Sequence, residues 1–405
     1  MPESLLRASA ERIANVHRPV LITCASEPYP PTRIGYAIAK LPAASPSSDF
    51  TLTPIGAMVV EYAIWFDWDI GHLYDLEHVW VHLDDLGNVV RVEGSQHGRR
   101  VDMAGCAVDN GRPVLYLEPG KHAVWPSPAA MATERSRIIA DCQALAGRDG
   151  IHIDNPFGAR GLIVAGRLDH RLARLKLKRD AFRPAFDFRR TDAAAARLVP
   201  WTELCSYIPR RVADLIARNR VEVPHLAAVF LDCGDTLVDE GTEIKDEATE
   251  IVSAAALIPG AENVLTRLRQ RGYRLALVAD GPRETFVNVL GAHGMWDDFD
   301  AHVISGDVGA HKPDARMFRT AIDALGLTPA AAPRIAMVGN NLERDIKGAN
   351  ALGLVSVFMS WSTRRSHSPR DASEKPAFTI GYIEDLPECL ETIELALPAT
   401  DAQTS

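Results

Sequence analysis

Hydrophobic and polar residues follow two different patterns along this chain of 405 residues. Between Val16 and Trp125, short apolar runs are separated by turn residues, which predicts β-strands. The segment DDLGN, residues 84–88, lies between two such runs and predicts a hairpin turn. This part of the chain is therefore expected to form a β-rich, sandwich-like α+β domain. The predicted strands cover residues 18–24, 58–69, 77–84, 88–94 and 113–118.

Helical periodicity follows the β-rich part. Apolar residues recur at helical spacing over residues 133–146 and again over 201–218, which predicts two helices. A domain boundary is expected between these helices and the next apolar run, at about residues 218–224. The predicted domains are 15–218 and 224–395, and residues 1–14 and 396–405 are expected to be loosely ordered ends.

Strands and helices alternate in the rest of the chain. This alternation predicts an α/β domain with a doubly wound parallel sheet. The predicted helices cover residues 261–271, 283–293, 314–325 and 344–352.

Several apolar strands of this second part end abruptly in polar residues. The run that begins at Ala227 ends at Asp232, and a small polar turn follows. The runs that begin at Tyr273 and Arg334 end in the same way, and the segment HKPD places Lys312 between them. The carboxyl ends of parallel strands share one edge of the sheet, which is where open α/β folds bind ligands. A binding or catalytic site is therefore expected at this edge.

Along the chain, a carboxylate with a small polar turn is followed by a lysine and then by a glycine with an acidic turn. This order of motifs resembles the haloacid dehalogenase (HAD) superfamily of hydrolases. The resemblance covers about residues 224–395. It implies that Asp232 attacks phosphorus to form an aspartyl-phosphate, with Lys312 as charge stabiliser and Thr236 beside the nucleophile. Magnesium is the implied cofactor and a small phosphorylated molecule the implied substrate. The implied magnesium ligands are Asp232, the carbonyl of Gly234, Asn340 and Asp345, and the implied phosphate-binding residues are Ala279, Asp280 and Gly281.

Three positions depart from the pattern of the superfamily. Gly234 stands where phosphatases carry an aspartate that acts as general acid, Ala279 replaces a serine or threonine, and Asn340 replaces an acidic residue. Only about 25 residues separate the Asp232 motif from the next helix, so the domain is expected to have a minimal cap or none. Attack on carbon, the chemistry of the dehalogenase branch, needs an apolar capped pocket, so the short insertion favours phosphoryl transfer.

A second group of polar residues lies in the β-rich part. Asp69, His72, Asp75 and Glu77 fall between two apolar runs and are expected on a loop, with His97 and His122 as further candidates. Carboxylates and imidazoles presented together suit a divalent cation.

The spacing GHxxDxE in this group resembles the heptapeptide loop of the necrosis-inducing-protein-like families. That resemblance implies a divalent cation bound by His72, Asp75 and Glu77, together with Asp69 or Asp67 upstream. The family's second histidine is Tyr74 here and its tryptophan is Leu76. The alternative is an ordinary solvated loop.

Bulk composition narrows the function further. The net charge of −9 argues against a dedicated nucleic-acid binder, and no apolar run is long enough to span a membrane. The six cysteines are scattered and the first residues lack a signal-like core, so a reducing cytoplasm is expected.

Three functional interpretations remain open from the sequence. The leading one is magnesium-dependent hydrolysis of a phosphate ester. The second is a degenerate HAD scaffold that binds a phosphorylated ligand or a partner without turnover. The third is a metal-dependent activity in the β-rich domain.

Overall fold

The apolar runs of the first part form the strands of two sheets in the computed structural model, which describes residues 3–151, 156–190 and 196–398. The strands of this part are β1 Val20–Cys24, β2 Arg33–Ala39, β3 Ala43–Ala44, β4 Thr51–Leu52, β5 Met58–Trp68, β6 His72–Leu83, β7 Val89–Gln96, β8 Arg99–Asp102, β9 Ala107–Asp109, β10 Arg112–Leu117, β11 Val124–Trp125, β12 Gly150–Ile151, β13 Phe188–Arg190 and β14 Arg197–Pro200. One sheet has the order β14-β2-β5-β6-β7-β8, with β12 beside β6. The other has the order β11-β10-β1-β13, with β9 beside β10.

The two sheets share one hydrophobic core. Side chains of β5 and β6, such as Ile64 and Val79, pack in one cluster with Leu21 of β1 and Leu115 of β10. Helices cover the other face of the larger sheet, where Trp65 packs in a second cluster with residues of the later helices. The predicted sandwich-like α+β fold is therefore confirmed. The helices of this part are α1 Glu3–Val16, α2 Pro128–Met131, α3 Arg135–Cys142, α4 Pro156–Ala159, α5 Arg167–Arg179 and α6 Trp201–Glu222.

Two local predictions for this part were wrong. Residues 3–16 form a helix rather than a loose end, and Ala14 is fully buried. The polar group around Asp75 does not lie on a loop, because β6 begins at His72 and pairs with β5 from there onward. Backbone pairing with a long neighbouring strand outweighs the polar character of these side chains.

The second part contains a six-stranded parallel sheet with the order β19-β18-β15-β20-β21-β22. Its strands are β15 Ala228–Leu231, β18 Leu275–Ala279, β19 Ala301–Ile304, β20 Ile335–Gly339, β21 Val355–Met359 and β22 Phe378–Ile380, and β16 Ile244–Lys245 pairs separately with β17 Val252–Ala254. Its helices are α7 Val264–Gln270, α8 Arg283–Ala292, α9 Ser305–Val308, α10 Ala315–Ala324, α11 Lys347–Leu352 and α12 Leu386–Ala396.

Both faces of this sheet are buried. In β15, Val229 and Leu231 belong to one hydrophobic cluster, whereas Ala228 and Phe230 belong to another. Alternate side chains of a strand point to opposite faces, so a sheet with two cores is covered on both sides. The predicted doubly wound parallel sheet is confirmed.

The chain forms two compact units. The first contains residues 1–165 and 169–221, and the second contains 166–168 and 222–405. In the second unit, the segment between β15 and α7 carries a two-stranded hairpin, β16 with β17, and the amide of Val252 in it donates to Oγ1 of Thr285 in α8. That the functional domains extend over residues 15–218 and 224–395 stays a prediction.

Two further features bear on the predictions from composition. All six cysteines are free thiols, as their scattered spacing predicted. In the described part of the chain, no helix combines the length and the apolar character needed to cross a membrane.

Candidate active site

Three neighbouring strands of the parallel sheet end at the same edge. Leu231 of β15 pairs in register with Leu277 of β18 on one side and with Val338 of β20 on the other. The residues that follow these strands therefore meet at one edge. They are Asp232, Asp280 and Asn340.

Lys312 connects two carboxylates at this edge. Its Nζ donates to Oδ1 of Asp232 at 2.7 Å and to the carbonyl of Val278 at 2.8 Å, and it lies 2.6 Å from Oδ1 of Asp345. Burial opposes the charge of the ammonium group, but the surrounding carboxylates of Asp232, Asp345 and Asp280 outweigh burial and raise the pKa of Lys312. Lys312 is therefore a permanent positive charge beside Asp232.

Asp345 is fully buried below the strand ends. A Cβ atom on Gly339 would lie 2.3 Å from Cγ of Asp345, so only glycine lets this carboxylate approach the end of β20. The amide of Asn341 donates to Oδ2 of Asp345 at 3.0 Å. Burial raises the pKa of Asp345 to about 7, against the opposing effect of Lys312. A second positive charge at this site would stabilise the two carboxylates.

Asp345 does not act as the cap of the helical turn in which it lies. Asn341 caps the turn that leads into α11, because its side-chain oxygen accepts from the amides of Glu343 and Arg344 at 3.0 and 3.2 Å. The carboxylate of Asp345 instead faces Lys312 and the amide of Asn341.

The donor set at this edge suits a magnesium ion. Asp232, Asn340 and Asp345 offer side-chain oxygens, which are the ligands that magnesium prefers. Asn340 is buried, and its Nδ2 has no hydrogen-bond partner among the described residues. The carbonyl of Gly234 is the fourth ligand that the resemblance implies.

Two of the predicted phosphate-binding residues, Asp280 and Gly281, form hydrogen bonds within the protein. Asp280 accepts from the amide of Lys312 at 3.0 Å and lies 3.4 Å from Nη1 of Arg344. The amide of Gly281 donates to Oγ of Ser305 at 2.9 Å, and Ala279 is buried at the end of β18. Asp280 therefore anchors the backbone of Lys312, and its role with phosphate stays a prediction.

Thr236 is fully buried in the turn that follows Asp232. Its Oγ1 has no hydrogen-bond partner among the described residues. The hydrogen bond near Asp232 that the resemblance implies is therefore not found there, and a catalytic role for Thr236 stays a prediction.

Comparison with known proteins supports the fold of the C-terminal region. Residues 208–353 match the model of the haloacid dehalogenase-like hydrolase family. The C-terminal region is a HAD-like hydrolase domain. The chain is 35% identical over 130 residues to phosphoserine phosphatase of Thermus thermophilus, which is 32% of this chain and 49% of that protein. It is 38% identical over 106 residues to glyceraldehyde 3-phosphate phosphatase of Pyrococcus abyssi, which is 26% of this chain and 42% of that protein.

The chain thus spans about half the length of these relatives. A solved structure of a HAD phosphatase from Thermococcus onnurineus aligns with a TM-score of 0.34 and 20% identity, covering 41% of this chain and 98% of that one. The family model begins at residue 208, and the N-terminal resemblance to necrosis-inducing-protein-like families is not shown by these comparisons.

The HAD-like domain has a cavity of about 490 Å³ beside Asp232. Sequence reasoning missed two residues of its lining, Glu240 and Arg365, which form an ion pair at 2.9 Å. Neither residue lies at the end of a strand, so the pattern that located Asp232 could not find them. The sequence contained only an indirect sign of Glu240. Gly234 stands where phosphatases of the superfamily carry a second carboxylate, so that carboxylate is missing from its usual position.

The N-terminal unit brings together a different set of residues from the one predicted there. Ligand atoms of Asp69, Asp75 and His122 all lie within 4.8 Å of one another. Asp69 and Asp75 were predicted as ligands and His122 as a further candidate, whereas the predicted His72 and Glu77 lie outside the group.

Of the predicted residues outside the group, His72 donates through Nδ1 to the carbonyl of Tyr74 at 2.8 Å and keeps a longer contact with Asp69, a member of the group. Nε2 of His72 lies 3.8 Å from Oδ1 of Asp69, and Glu77 accepts a hydrogen bond from the hydroxyl of Ser95. His97 lies apart from the group, paired with Glu118 at 3.3 Å.

Charge is concentrated around this group. Nδ1 of His122 lies 3.3 Å from Asp75 and its Nε2 lies 3.4 Å from Glu27, and Nζ of Lys121 donates to Asp69 at 2.8 Å. Burial opposes the charge on His122, but hydrogen bonds with Asp75 and Glu27 raise its pKa to about 10. Asp69 and Asp75 line a cavity of about 1240 Å³, so the group has access to a ligand-sized space.

Proposed function

We propose that the HAD-like domain is a magnesium-dependent phosphatase that hydrolyses a small phosphate monoester through an aspartyl-phosphate on Asp232. The observation that carries this proposal is the contact between Asp232 and the buried Lys312, 2.7 Å apart at the edge of a cavity of about 490 Å³. The phosphatase relatives support phosphate esters as the class of substrate.

The proposed reaction has two chemical steps. An oxygen of Asp232 attacks phosphorus, and the bond to the leaving-group oxygen breaks. Water then attacks the aspartyl-phosphate, which releases phosphate and regenerates the carboxylate. Lys312 orients Asp232 and offsets the negative charge that develops on the transferring group. Bound magnesium supplies further neutralisation of the phosphate oxygens, and Asp232, Asn340 and Asp345 would hold it.

A magnesium requirement is the first test of this proposal. We expect the protein to release phosphate from phosphoserine, glyceraldehyde 3-phosphate or another small ester with magnesium, and to stop when the ion is chelated. The Asp345→Asn variant should need at least about tenfold more magnesium for half-maximal activity, because it replaces a buried carboxylate ligand by a neutral amide. The measurement is phosphate release against magnesium concentration.

The matched control for this test is Asp314→Asn, which removes an exposed carboxylate that caps α10. It should leave the magnesium dependence unchanged. Activity that survives chelation would contradict the magnesium role. Absence of turnover with every ester would favour the alternative of a scaffold that binds without turnover, which Gly234, Ala279 and Asn340 suggested.

We further propose that a second divalent cation binds the N-terminal unit between Asp69, Asp75 and His122. Two carboxylates and an imidazole with ligand atoms within 4.8 Å of one another form the supporting arrangement. Lys121 and the protonated His122 offset the carboxylate charge at this point, so the cation would displace the proton of His122 when it binds. This proposal replaces the predicted set of His72, Asp75, Glu77 and Asp69.

Metal content distinguishes the two cation sites. Equilibrium dialysis against manganese should give about two bound ions in the wild type and about one in either Asp75→Asn or Asp345→Asn. The double variant should bind none. His97→Ala is the control in the N-terminal unit, because His97 pairs with Glu118 and lies outside the group. Unchanged binding in Asp75→Asn would exclude the N-terminal site.

A further inference from the structure

The carboxylate of Glu240 lies in the space that a side chain at position 234 would occupy. A Cβ atom built on Gly234 would be 2.2 Å from Oε1 of Glu240 and 2.9 Å from its Cδ. The three atoms nearest to that Cβ all belong to Glu240. The carboxylate of Glu240, six residues further along the chain, therefore occupies the space that a side chain at position 234 would fill.

The backbone after the nucleophile turn brings Glu240 back to this point. A short 3-10 turn covers Glu240–Thr242, and Asp239 caps it by accepting from the amide of Gly241 at 2.8 Å. The amide of Glu240 donates to Oδ1 of Asp235 at 3.0 Å. These hydrogen bonds fix where the Glu240 side chain leaves the backbone.

Arginine side chains hold the same segment from the other side. Nη2 of Arg365 donates to both carboxylate oxygens of Glu240, each at 2.9 Å. Arg364 reaches Asp235 and Asp239, each at 2.6 Å. Glu240 is thus a positioned group, and it lines the same cavity as Asp232 and Lys312.

We propose that Glu240 is the general acid and base of the HAD-like site, in place of the aspartate that position 234 lacks. The inference rests on the proposed phosphatase function. In the first step, the P–O bond to the leaving group breaks as Asp232 attacks, and the carboxyl of Glu240, which carries a proton only when its ion pair with Arg365 is broken, gives that proton to the departing oxygen. In the second step, the Glu240 carboxylate takes a proton from the water that attacks the aspartyl-phosphate, which restores the carboxyl and releases phosphate.

The other carboxylates nearby do not meet the same geometric condition. Asp235 is fully buried and pairs with Arg364, and none of its atoms is among those nearest to the Gly234 position. Glu243 lines the cavity but is exposed, and it is likewise absent from the atoms nearest to Gly234. Glu247, which is exposed and lies outside the cavity lining, is a matched control for Glu240.

Leaving-group dependence tests the role of Glu240. An alkyl phosphate has a leaving group that needs a proton, whereas p-nitrophenyl phosphate has one that departs without it. Glu240→Gln should lower kcat/KM for the alkyl ester by about 10²- to 10⁴-fold and change kcat/KM for the nitrophenyl ester by less than about tenfold. Glu247→Gln should leave both values near those of the wild type.

A second variant moves the acid to position 234. Glu240→Ala removes the carboxylate that would collide with a new side chain, so Gly234→Asp combined with Glu240→Ala has room for the aspartate. The double variant should recover at least about tenfold in kcat/KM on the alkyl ester relative to Glu240→Ala alone. Recovery would show that the reaction needs a carboxyl at this point in space, whichever residue supplies it.

The inference and the phosphatase proposal fail in different ways. Full activity of Glu240→Gln on the alkyl ester, or an equal loss on both esters, would overturn the role of Glu240. The nitrophenyl activity of the wild type, absent in Asp232→Asn, would still support the phosphatase. If the wild type releases no phosphate from either ester, both the proposed function and the inference are wrong.

Discussion

Replacing Asp232 by asparagine should lower phosphate release by at least about a thousandfold. The amide keeps the shape of the side chain and an oxygen that can accept from Lys312, but it lacks the anionic nucleophile that forms the aspartyl-phosphate. Removal of a covalent nucleophile leaves only binding and electrostatic stabilisation to assist the reaction. The measurement is kcat with the best ester of the panel, in magnesium.

The control for this variant separates loss of chemistry from loss of fold. Asp314→Asn removes a surface carboxylate and should retain full activity, and both variants should melt close to the wild type. A second readout is the phosphorylated protein itself, which should form in the wild type and not in Asp232→Asn. An Asp232→Asn protein that still turns over substrate would assign the nucleophile to another group.

Replacing Lys312 by methionine should lower both the free energy of unfolding and the activity. Nζ of Lys312 contacts Asp232 and the fully buried Asp345, so its loss leaves buried carboxylates without their cation. Breaking a buried ion pair from one side costs about 3–5 kcal/mol in the free energy of unfolding. Activity should fall by at least about a hundredfold, because the charge that stabilises the transferring phosphoryl group is gone.

A double-mutant cycle identifies the cause of that loss. Adding Asp345→Asn to Lys312→Met removes one of the uncompensated charges, so the double variant should regain part of the lost unfolding free energy. Chemical denaturation without magnesium gives the four free energies. If the effects of the two substitutions simply add, the contact between Lys312 and Asp345 does not contribute to stability.

Neither variant is expected to alter the N-terminal unit, since the residues of its proposed cation group are separate from the HAD-like edge. Manganese binding by that unit therefore serves as an internal check that the rest of the protein is intact.

The position of Asp232 could be predicted from the sequence because it follows from strand pattern alone. An apolar run that ends in a polar residue places that residue at the edge of a parallel sheet, and three such runs predict that their ends meet. The register of Leu231 with Leu277 and Val338 confirms this convergence. Lys312 lies 80 residues from Asp232 along the chain, and only the resemblance to a known family linked the two.

The arrangement of the polar group in the N-terminal unit could not be predicted from the local sequence pattern. Asp75 and Glu77 were expected on a loop, yet they lie within β6, where both side chains point to one face of the sheet. The pairing of β6 with β5 decided this, and pairing with a distant strand is not visible in a local pattern. His122 enters the group through the packing of another segment, and its distance from Asp75 is a tertiary property.

The sequence by itself determined the parallel sheet, its polar edge and the nucleophile candidate, because hydrophobic periodicity and strand ends are local properties of the chain. Only the tertiary structure decided that Asn341 caps the turn before α11, that Lys312 lies between two carboxylates and that Glu240 fills the place of a side chain at Gly234. These contacts depend on how turns fold back and where side chains leave the backbone, and such geometry arises only when distant segments pack together.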